Sequence, residues 1–160
     1  MEILVTSLIA SIVLTIVATL TIFATRSVLA MTNYAELDQE SRNTLDVLTR
    51  DIRQAAGLSS FAANKIVLRN PDSTTCTYTY NQSLGTLTRS NSSGSKVLLD
   101  NCDQLAFRIS TRNPSNDFQF YQANLATAKL IDVSWKCSRQ IKAQKVNTES
   151  IQTAKIVMRN

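Results

Sequence analysis

The feature that most constrains this chain is an uncharged apolar run close to its N-terminus. The run extends from Ile3 to Thr25, 23 residues without a charged side chain, a proline or a glycine. A helix of that length is roughly 35 Å long, enough to cross a bilayer core of about 30 Å. A cleavable secretory signal begins with basic residues and has a shorter apolar centre, whereas here the run follows Glu2. We therefore predict that residues 1–26 form a membrane-spanning helix.

Small hydroxyl residues recur every four positions within this run. They are Ser7, Ser11, Thr15 and Thr19. Small residues at this spacing let membrane helices approach closely and hydrogen-bond across the contact. Serine and threonine can also bond to the carbonyl one turn earlier in their own helix, without any partner. The sequence leaves both uses open, and the four positions are a candidate helix-packing stripe.

After Arg26 the chain becomes amphipathic and keeps its helical period. Apolar residues recur at steps of three, four or seven to eight, at Met31, Tyr34, Leu37, Leu45, Leu48, Ile52 and Ala55. This spacing places them in one stripe along a helix. The predicted contacts with a β-sheet are Leu37, Leu45, Leu48 and Ile52. We interpret Gly57 as the C′ residue that ends the helix, which predicts one continuous helix from about residue 2 to 56.

Beyond Gly57 the period changes to two, which is typical of strands. The stretch TCTYTYNQSLGTLTR predicts a hairpin that turns between Asn81 and Gly85. Further strands are predicted at IVLR, at SKVLLDNCDQLAFRIST with a break near Asp100, at AKLIDVSWKC and at TAKIVMRN, and residues 112–127 and 142–150 are predicted polar loops. The predicted fold class is α+β. The second half of the long helix covers an antiparallel β-sheet within a globular domain of residues 27–160.

The composition argues against catalysis. The chain has no histidine and only three glycines, which are far apart. This excludes serine–histidine and cysteine–histidine catalysis, histidine-ligated metals and a phosphate-binding glycine loop. No C-x-x-C motif supports a zinc ribbon or a redox site. We therefore expect no catalytic residue, no metal site and no cofactor, and we do not expect an enzyme.

Basic residues are concentrated at the C-terminal end. Between Lys129 and Asn160 there are seven basic and two acidic residues, against 17 basic and 12 acidic in the whole chain. Such a patch can attract an anionic partner. No aromatic stacking set is interleaved with it, so we interpret it as a solvated face and do not expect nucleic-acid binding.

Two stretches resemble the superfamily of type IV pilins and type II secretion pseudopilins. EILVTSLIASIVL is similar to the segment after the prepilin processing site, where one glutamate precedes an apolar helix, and Glu2 falls on that glutamate. RNTLDVLTRDIRQAAGL, residues 42–58, is similar to the end of the long helix in J-type minor pseudopilins and W-type minor pilins. The resemblance covers residues 1–58 well and the sheet region only in general architecture.

The resemblance implies a structural role in filament initiation or assembly. In the family the glutamate pairs with the N-terminal amine of a neighbouring subunit, so Glu2 is the expected assembly residue. The implied partners are other pilins or pseudopilins, inner-membrane lipid before assembly, and a prepilin peptidase acting on a leader that would precede Met1. The implied location is the inner membrane, crossed once with the C-terminal domain periplasmic or otherwise extracytoplasmic, and then the pilus or pseudopilus.

Two other functions stay open at this level. A competence-type pilus subunit would use the basic C-terminal stretch to contact DNA, and a salt-dependent affinity for DNA would favour it. A membrane-anchored extracytoplasmic binding or sensor module would need a ligand pocket and would have no use for Glu2.

The three cysteines, Cys76, Cys102 and Cys137, permit one disulfide and one remaining thiol in an oxidising compartment. We predict a disulfide between Cys76 and Cys102, because Cys102 follows the break near Asp100, where the chain can bend back. Cys137 alternates with Trp135 and is predicted to be buried and unpaired. Pairing of Cys102 with Cys137 and three free thiols are the open alternatives.

Overall fold

The computed structural model describes residues 2–112, 120–139 and 149–159. These residues form one long helix, α1, over Glu2–Gln54, followed by strands in two antiparallel sheets. The strands are β1 Gly57–Ala62, β2 Lys65–Arg69, β3 Thr75–Asn81, β4 Thr86–Asn91, β5 Gly94–Leu99, β6 Cys102–Arg112, β7 Phe120–Gln122, β8 Leu130–Ser138 and β9 Glu149–Val157. The predicted α+β class is confirmed. Most of the polar loop predicted at 142–150, and residues 113–119 of the loop predicted at 112–127, lie outside the described residues.

Helix α1 is unbroken over 53 residues, as expected of a stretch without glycine or proline. Its last turn closes where the N–H of Ala55 donates to the carbonyl of Asp51 at 3.0 Å. The next N–H, that of Ala56, already donates to the carbonyl of Arg69 at 2.7 Å. Gly57 is therefore not the left-handed C′ residue that we predicted. It is the first residue of β1, because the chain passes directly from the helix into strand pairing.

The first sheet is a meander of β1 to β5 in sequence order. The predicted hairpin corresponds to β3 and β4, and Gly85 has a φ of 62° at the end of its turn. The side chain of Asn81 accepts hydrogen bonds from the N–H groups of Ser83 and Leu84 at 3.0 and 3.2 Å. A side-chain acceptor and a glycine with positive φ are the usual elements of such a turn.

The second sheet has the strand order β7-β6-β8-β9. The sequence predicted one sheet, but the chain leaves the first sheet at Leu99 and begins β6 at Cys102. Between them Asn101 has a φ of 52°, in the left-handed region that asparagine tolerates better than most residues. This reversal lies at the break that we expected near Asp100, and it separates the two sheets.

The second half of α1 covers the core between these sheets. Its buried residues are Leu37, Ser41, Thr44, Leu48 and Ile52. The indole N–H of Trp135, on β8, donates to the hydroxyl of Ser41 at 3.2 Å, and the hydroxyl of Thr44 donates to the carbonyl of Leu98, on β5, at 2.9 Å. These two bonds give the helix a polar contact with each sheet.

The buried stripe is shorter than the one that we predicted. Leu37, Leu48 and Ile52 are fully buried, and Leu45 is half-buried against the same cluster. Met31 and Tyr34 are exposed over 71% and 50% of their surface, because the β-sheets cover α1 only from about Leu37 onward. The preceding residues of the helix extend beyond the domain.

Candidate assembly site

The N-terminal half of α1 contains the apolar run from Ile3 to Thr25, which the domain does not cover and which we call the rod. An 18-residue window in this helix has a mean hydropathy of 2.5, and none of it is buried. Large apolar side chains are exposed all around the rod. For example, 83% of the surface of Ile3 and 73% of the surface of Phe23 are exposed. Exposed apolar surface on this scale marks a membrane or protein interaction site. By length and composition the helix is a candidate membrane span.

The hydroxyls of the candidate stripe are satisfied within the helix itself. Ser7 and Ser11 donate to the carbonyls of Leu4 and Leu8 at 3.0 and 2.8 Å. Thr15 and Thr19 donate to the carbonyls of Ser11 and Ile16, both at 2.8 Å. Thr6, Thr21 and Thr25, outside the stripe, make bonds of the same kind. The rod can therefore lie in lipid without an unsatisfied hydroxyl donor, and the four positions remain small enough for close helix packing.

Glu2 lies in the first turn of α1, at the end remote from the domain. The 35 residues between Glu2 and Leu37 correspond to roughly 50 Å along the helix axis. The carboxylate is exposed, and a negative charge at a helix N-terminus is favoured by the helix dipole. At that distance Glu2 makes no contribution to the packing of the domain.

An ion cluster joins α1 to the end of β8 where the domain begins. The guanidinium of Arg139 donates to the carboxylate of Glu36, to that of Glu40 at 3.1 Å, and lies 3.8 Å from that of Asp100. Burial and the nearby Asp100 charge raise the pKa of Glu40, although Arg139 opposes them. Arg139 lies between three carboxylates, and its contacts with Glu36 and Glu40 attach the start of the docked helix to the end of β8.

Other basic residues of the C-terminal stretch also have partners within the domain. Lys136 lies 2.9 Å from the carboxylate of Glu149, and the ammonium of Lys155 lies 4.7 Å from the ring centre of Phe120. Lys142 and Lys145 lie outside the described residues. Lys136, Arg139 and Lys155 of this stretch are thus engaged in intramolecular contacts.

A second polar cluster holds the C-terminal end of α1 on the first sheet. The Oδ2 atom of Asp51 accepts hydrogen bonds from the hydroxyl of Tyr78 at 2.7 Å, from Nε of Arg89 at 2.6 Å and from the thiol of Cys76 at 3.3 Å. Burial, the largest single influence, raises the pKa of Asp51, but the bonds from Arg89, Tyr78 and Cys76 together bring it below the usual value. Sequence reasoning missed Asp51, although its position beside Ile52, three residues after Leu48, places it at the margin of the buried stripe.

The fold does not bring together Cys76 and Cys102, which we predicted to form a disulfide. All three thiols are free and buried, and the thiol of Cys76 donates to Asp51. The residue of β3 that meets Cys102 is Tyr80, whose hydroxyl donates to the carbonyl of Cys102 at 2.9 Å. Cys76 lies four residues earlier, roughly 13 Å along the strand. Cys137, which we expected to be buried, is fully buried and lies opposite Cys102 across β6 and β8.

The described residues contain no group of three or more acidic, cysteine or histidine side chains placed to hold a metal ion. The fold and the rod together define a class of protein. In this class one candidate membrane span continues without a break into an α+β domain. No protein-family model matches the sequence, and no curated protein is significantly similar to it.

Proposed function

We propose that this chain is a minor pilin or pseudopilin, a structural subunit whose apolar rod anchors it in the membrane and then packs with other rods in a filament. The observation that carries the proposal is the division of one unbroken helix. Its C-terminal half is docked on the sheets, whereas its N-terminal half is wholly uncovered and apolar on every side. The motifs around Glu2 and over residues 42–58 favour the J-type or W-type subunits of that superfamily.

The rod is suited to pack against lipid in the membrane and against other helices in a filament. In the membrane its side chains face acyl chains, and its hydroxyls are already bonded to the helix backbone. In a filament the same small residues allow neighbouring helices to approach, because membrane helices associate through close packing rather than through the hydrophobic effect. The proposed role of the chain is therefore structural and not catalytic, and the domain displays its surface outside the membrane.

Glu2 is the proposed assembly residue. A carboxylate at the edge of an apolar helix is costly in a lipid-like environment unless it has a partner of opposite charge. The proposed partner is the N-terminal amine of a neighbouring processed subunit, which offsets the desolvation of both groups. This proposal includes removal of a leader by a prepilin peptidase, a single membrane crossing and an extracytoplasmic domain.

The proposal is tested by Glu2→Ala in the full-length gene, expressed in its own organism. We expect the variant to fold and to reach the membrane fraction, but its recovery in sheared filaments should fall more than about tenfold. The substitution would leave the N-terminal amine of the neighbouring subunit without its partner, and an unpaired charge in lipid costs about 2.5–3.5 kcal/mol. Asp46→Ala is the matched control, since Asp46 is an exposed acidic residue on the docked half of the same helix.

Filament recovery should be unchanged in the Asp46→Ala control. If Glu2→Ala entered filaments as well as the parent protein does, the assembly role of Glu2 would be refuted. If neither the parent nor Glu2→Ala were found in filaments while both spanned the membrane, a membrane-anchored binding module would become the better interpretation.

A further inference from the structure

Cys102 and Cys137 face each other at the point where β6 begins and β8 ends. They are direct partners in the register of these antiparallel strands. The N–H of Ser138 donates to the carbonyl of Asn101 at 2.9 Å, and the N–H of Cys102 donates away from β8, to the carbonyl of Gly85, at 2.8 Å. A bond between the two flanking residues marks Cys102 and Cys137 as a non-hydrogen-bonded pair.

That type of pair brings two side chains close together. Its Cα atoms are about 4.5 Å apart, and both side chains leave the same face of the sheet. Disulfides form between residues whose Cα atoms are about 4.4–6.8 Å apart. The position of the two cysteines in the ladder therefore satisfies the backbone requirement for a disulfide without moving either strand.

The two thiols also influence each other's titration. The thiol of Cys102 donates to the carbonyl of Gln104 at 3.3 Å, and the nearby Cys137 is the largest cause that lowers the pKa of Cys102, whereas Cys102 is the largest cause that raises the pKa of Cys137. Both residues are buried, with 2% and 0% of their surface exposed. Cys76 is held elsewhere, by its hydrogen bond to Asp51.

We propose that Cys102 and Cys137 form a cross-strand disulfide when the chain folds in an oxidising compartment, and that Cys76 remains a free thiol. The oxidant is a second disulfide, either a small one such as oxidised glutathione or that of a dithiol oxidoreductase. Attack by one cysteine thiolate forms a mixed disulfide and releases one thiol of the oxidant. Attack by the other cysteine then closes the Cys102–Cys137 bond and releases the second thiol, which leaves the oxidant reduced by two electrons and carrying both protons.

The bond would lie at the junction of the two sheets. The backbone of Cys102 is held by Tyr80 of β3 and by Gly85 in the turn between β3 and β4, while Cys137 belongs to β8 of the second sheet. Two residues further along, Arg139 contacts α1. A disulfide here fastens the first sheet to the strand that positions the helix. This inference concerns the folding of the domain and holds whether or not the chain enters a filament.

Peptide mapping distinguishes the possible pairings, because each cysteine lies in a different tryptic peptide. Cys76 is in residues 70–89, Cys102 in residues 97–108 and Cys137 in residues 137–139. The full chain in detergent is reduced, unfolded and refolded with a mixture of reduced and oxidised glutathione. Free thiols are alkylated at acidic pH before digestion, and the peptides are identified without reduction.

We expect peptide 97–108 linked to peptide 137–139, with peptide 70–89 alkylated. Cys76→Ser is the matched control and should retain the link, whereas Cys102→Ser should lose it. The oxidised parent should melt roughly 10 °C above the reduced one, since the bond closes a loop of about 35 residues. A link that includes peptide 70–89, or three alkylated cysteines after refolding, would overturn the proposal, and the parent alone decides this if a variant fails to fold.

Discussion

Replacement of Asp51 by asparagine should separate the contribution of its charge from that of its shape. Asp51 lies near the end of α1, and one oxygen of its carboxylate accepts from Tyr78, Arg89 and Cys76. The side chains of Asp51 and Arg89 are only 12% and 27% exposed, so solvent screens this pair weakly. Asparagine keeps the volume and one acceptor oxygen but removes the negative charge.

The expected cost follows from the bonds that change in kind. A hydrogen bond to a charged group contributes about 1.5–3 kcal/mol, and one between neutral groups about 0.5–1.5 kcal/mol. In Asp51→Asn the bond from Tyr78 becomes one between neutral groups, and the bond from Arg89 keeps its charged donor but loses the opposite charge. The free energy of unfolding should therefore fall by about 2 kcal/mol at pH 7, which lowers the melting temperature of a domain of this size by roughly 5–10 °C.

The effect should depend on pH with a defined sign. The pKa of Asp51 is lower in the folded protein than its ordinary value of 3.8. A carboxylate of this kind stabilises the fold fully above the unfolded pKa and loses that contribution as the pH falls through the folded pKa. The difference between the parent and Asp51→Asn should thus be complete from about pH 5 upward and should shrink below about pH 4.

The assay is thermal unfolding of the full chain in detergent, followed by near-ultraviolet circular dichroism between pH 3 and pH 7. Asp46→Asn is the control, because Asp46 is exposed on the same helix and should change the melting temperature little at any pH. Equal melting of the parent and Asp51→Asn at pH 7 would refute the argument. A difference that persisted undiminished at pH 3 would show that shape, and not charge, explains the loss.

Two further predictions concern the docked face of the helix. Leu48→Ala should lower the free energy of unfolding by about 2–5 kcal/mol in urea denaturation, because Leu48 is fully buried, whereas the same change at exposed Met31 should cost less than about 0.5 kcal/mol. Equal losses at the two positions would mean that the sheets cover a longer part of the helix. Ser41→Ala should cost about 1–3 kcal/mol, because it leaves the buried indole N–H of Trp135 without an acceptor. Trp135→Phe added to Ser41→Ala should cost less than the sum of the two single changes, and strict additivity would argue against this hydrogen bond.

The elements that could be predicted from the sequence are those with a strong local period. The long helix follows from an unbroken helical pattern between Glu2 and Gln54, and the β3–β4 hairpin follows from two alternating arms around Asn81 and Gly85. The first strand was missed because Ser59 and Ser60 interrupt the alternation, and the register of β1 shifts at this position. β1 forms because it pairs with β2 across a short turn, although its own sequence has no clear strand pattern.

Only the exposed part of the candidate site could be predicted from the sequence. Glu2 and the apolar rod can be recognised from the sequence because nothing in the fold rearranges them. The Asp51 cluster could not, since its donors come from β3 and β4, more than 20 residues away in sequence. The contact between Cys102 and Cys137 depends on the register of β6 against β8, and no local pattern sets the register of two strands separated by a long connection.

The polar contacts of the docked helix add what an apolar stripe cannot provide. A hydrophobic contact is non-directional, so the buried leucines determine that α1 lies on the sheets but constrain its rotation weakly. Hydrogen bonds are directional, and they attach the helix at its start through Arg139, in the middle through Ser41 and Thr44, and near its end through Asp51. These contacts extend over roughly 22 Å of one straight element. Because the helix continues unbroken into the rod, the same contacts fix the rotation of the domain about the axis of the rod. In the filament role that we propose, that rotation would have to be the same in every subunit.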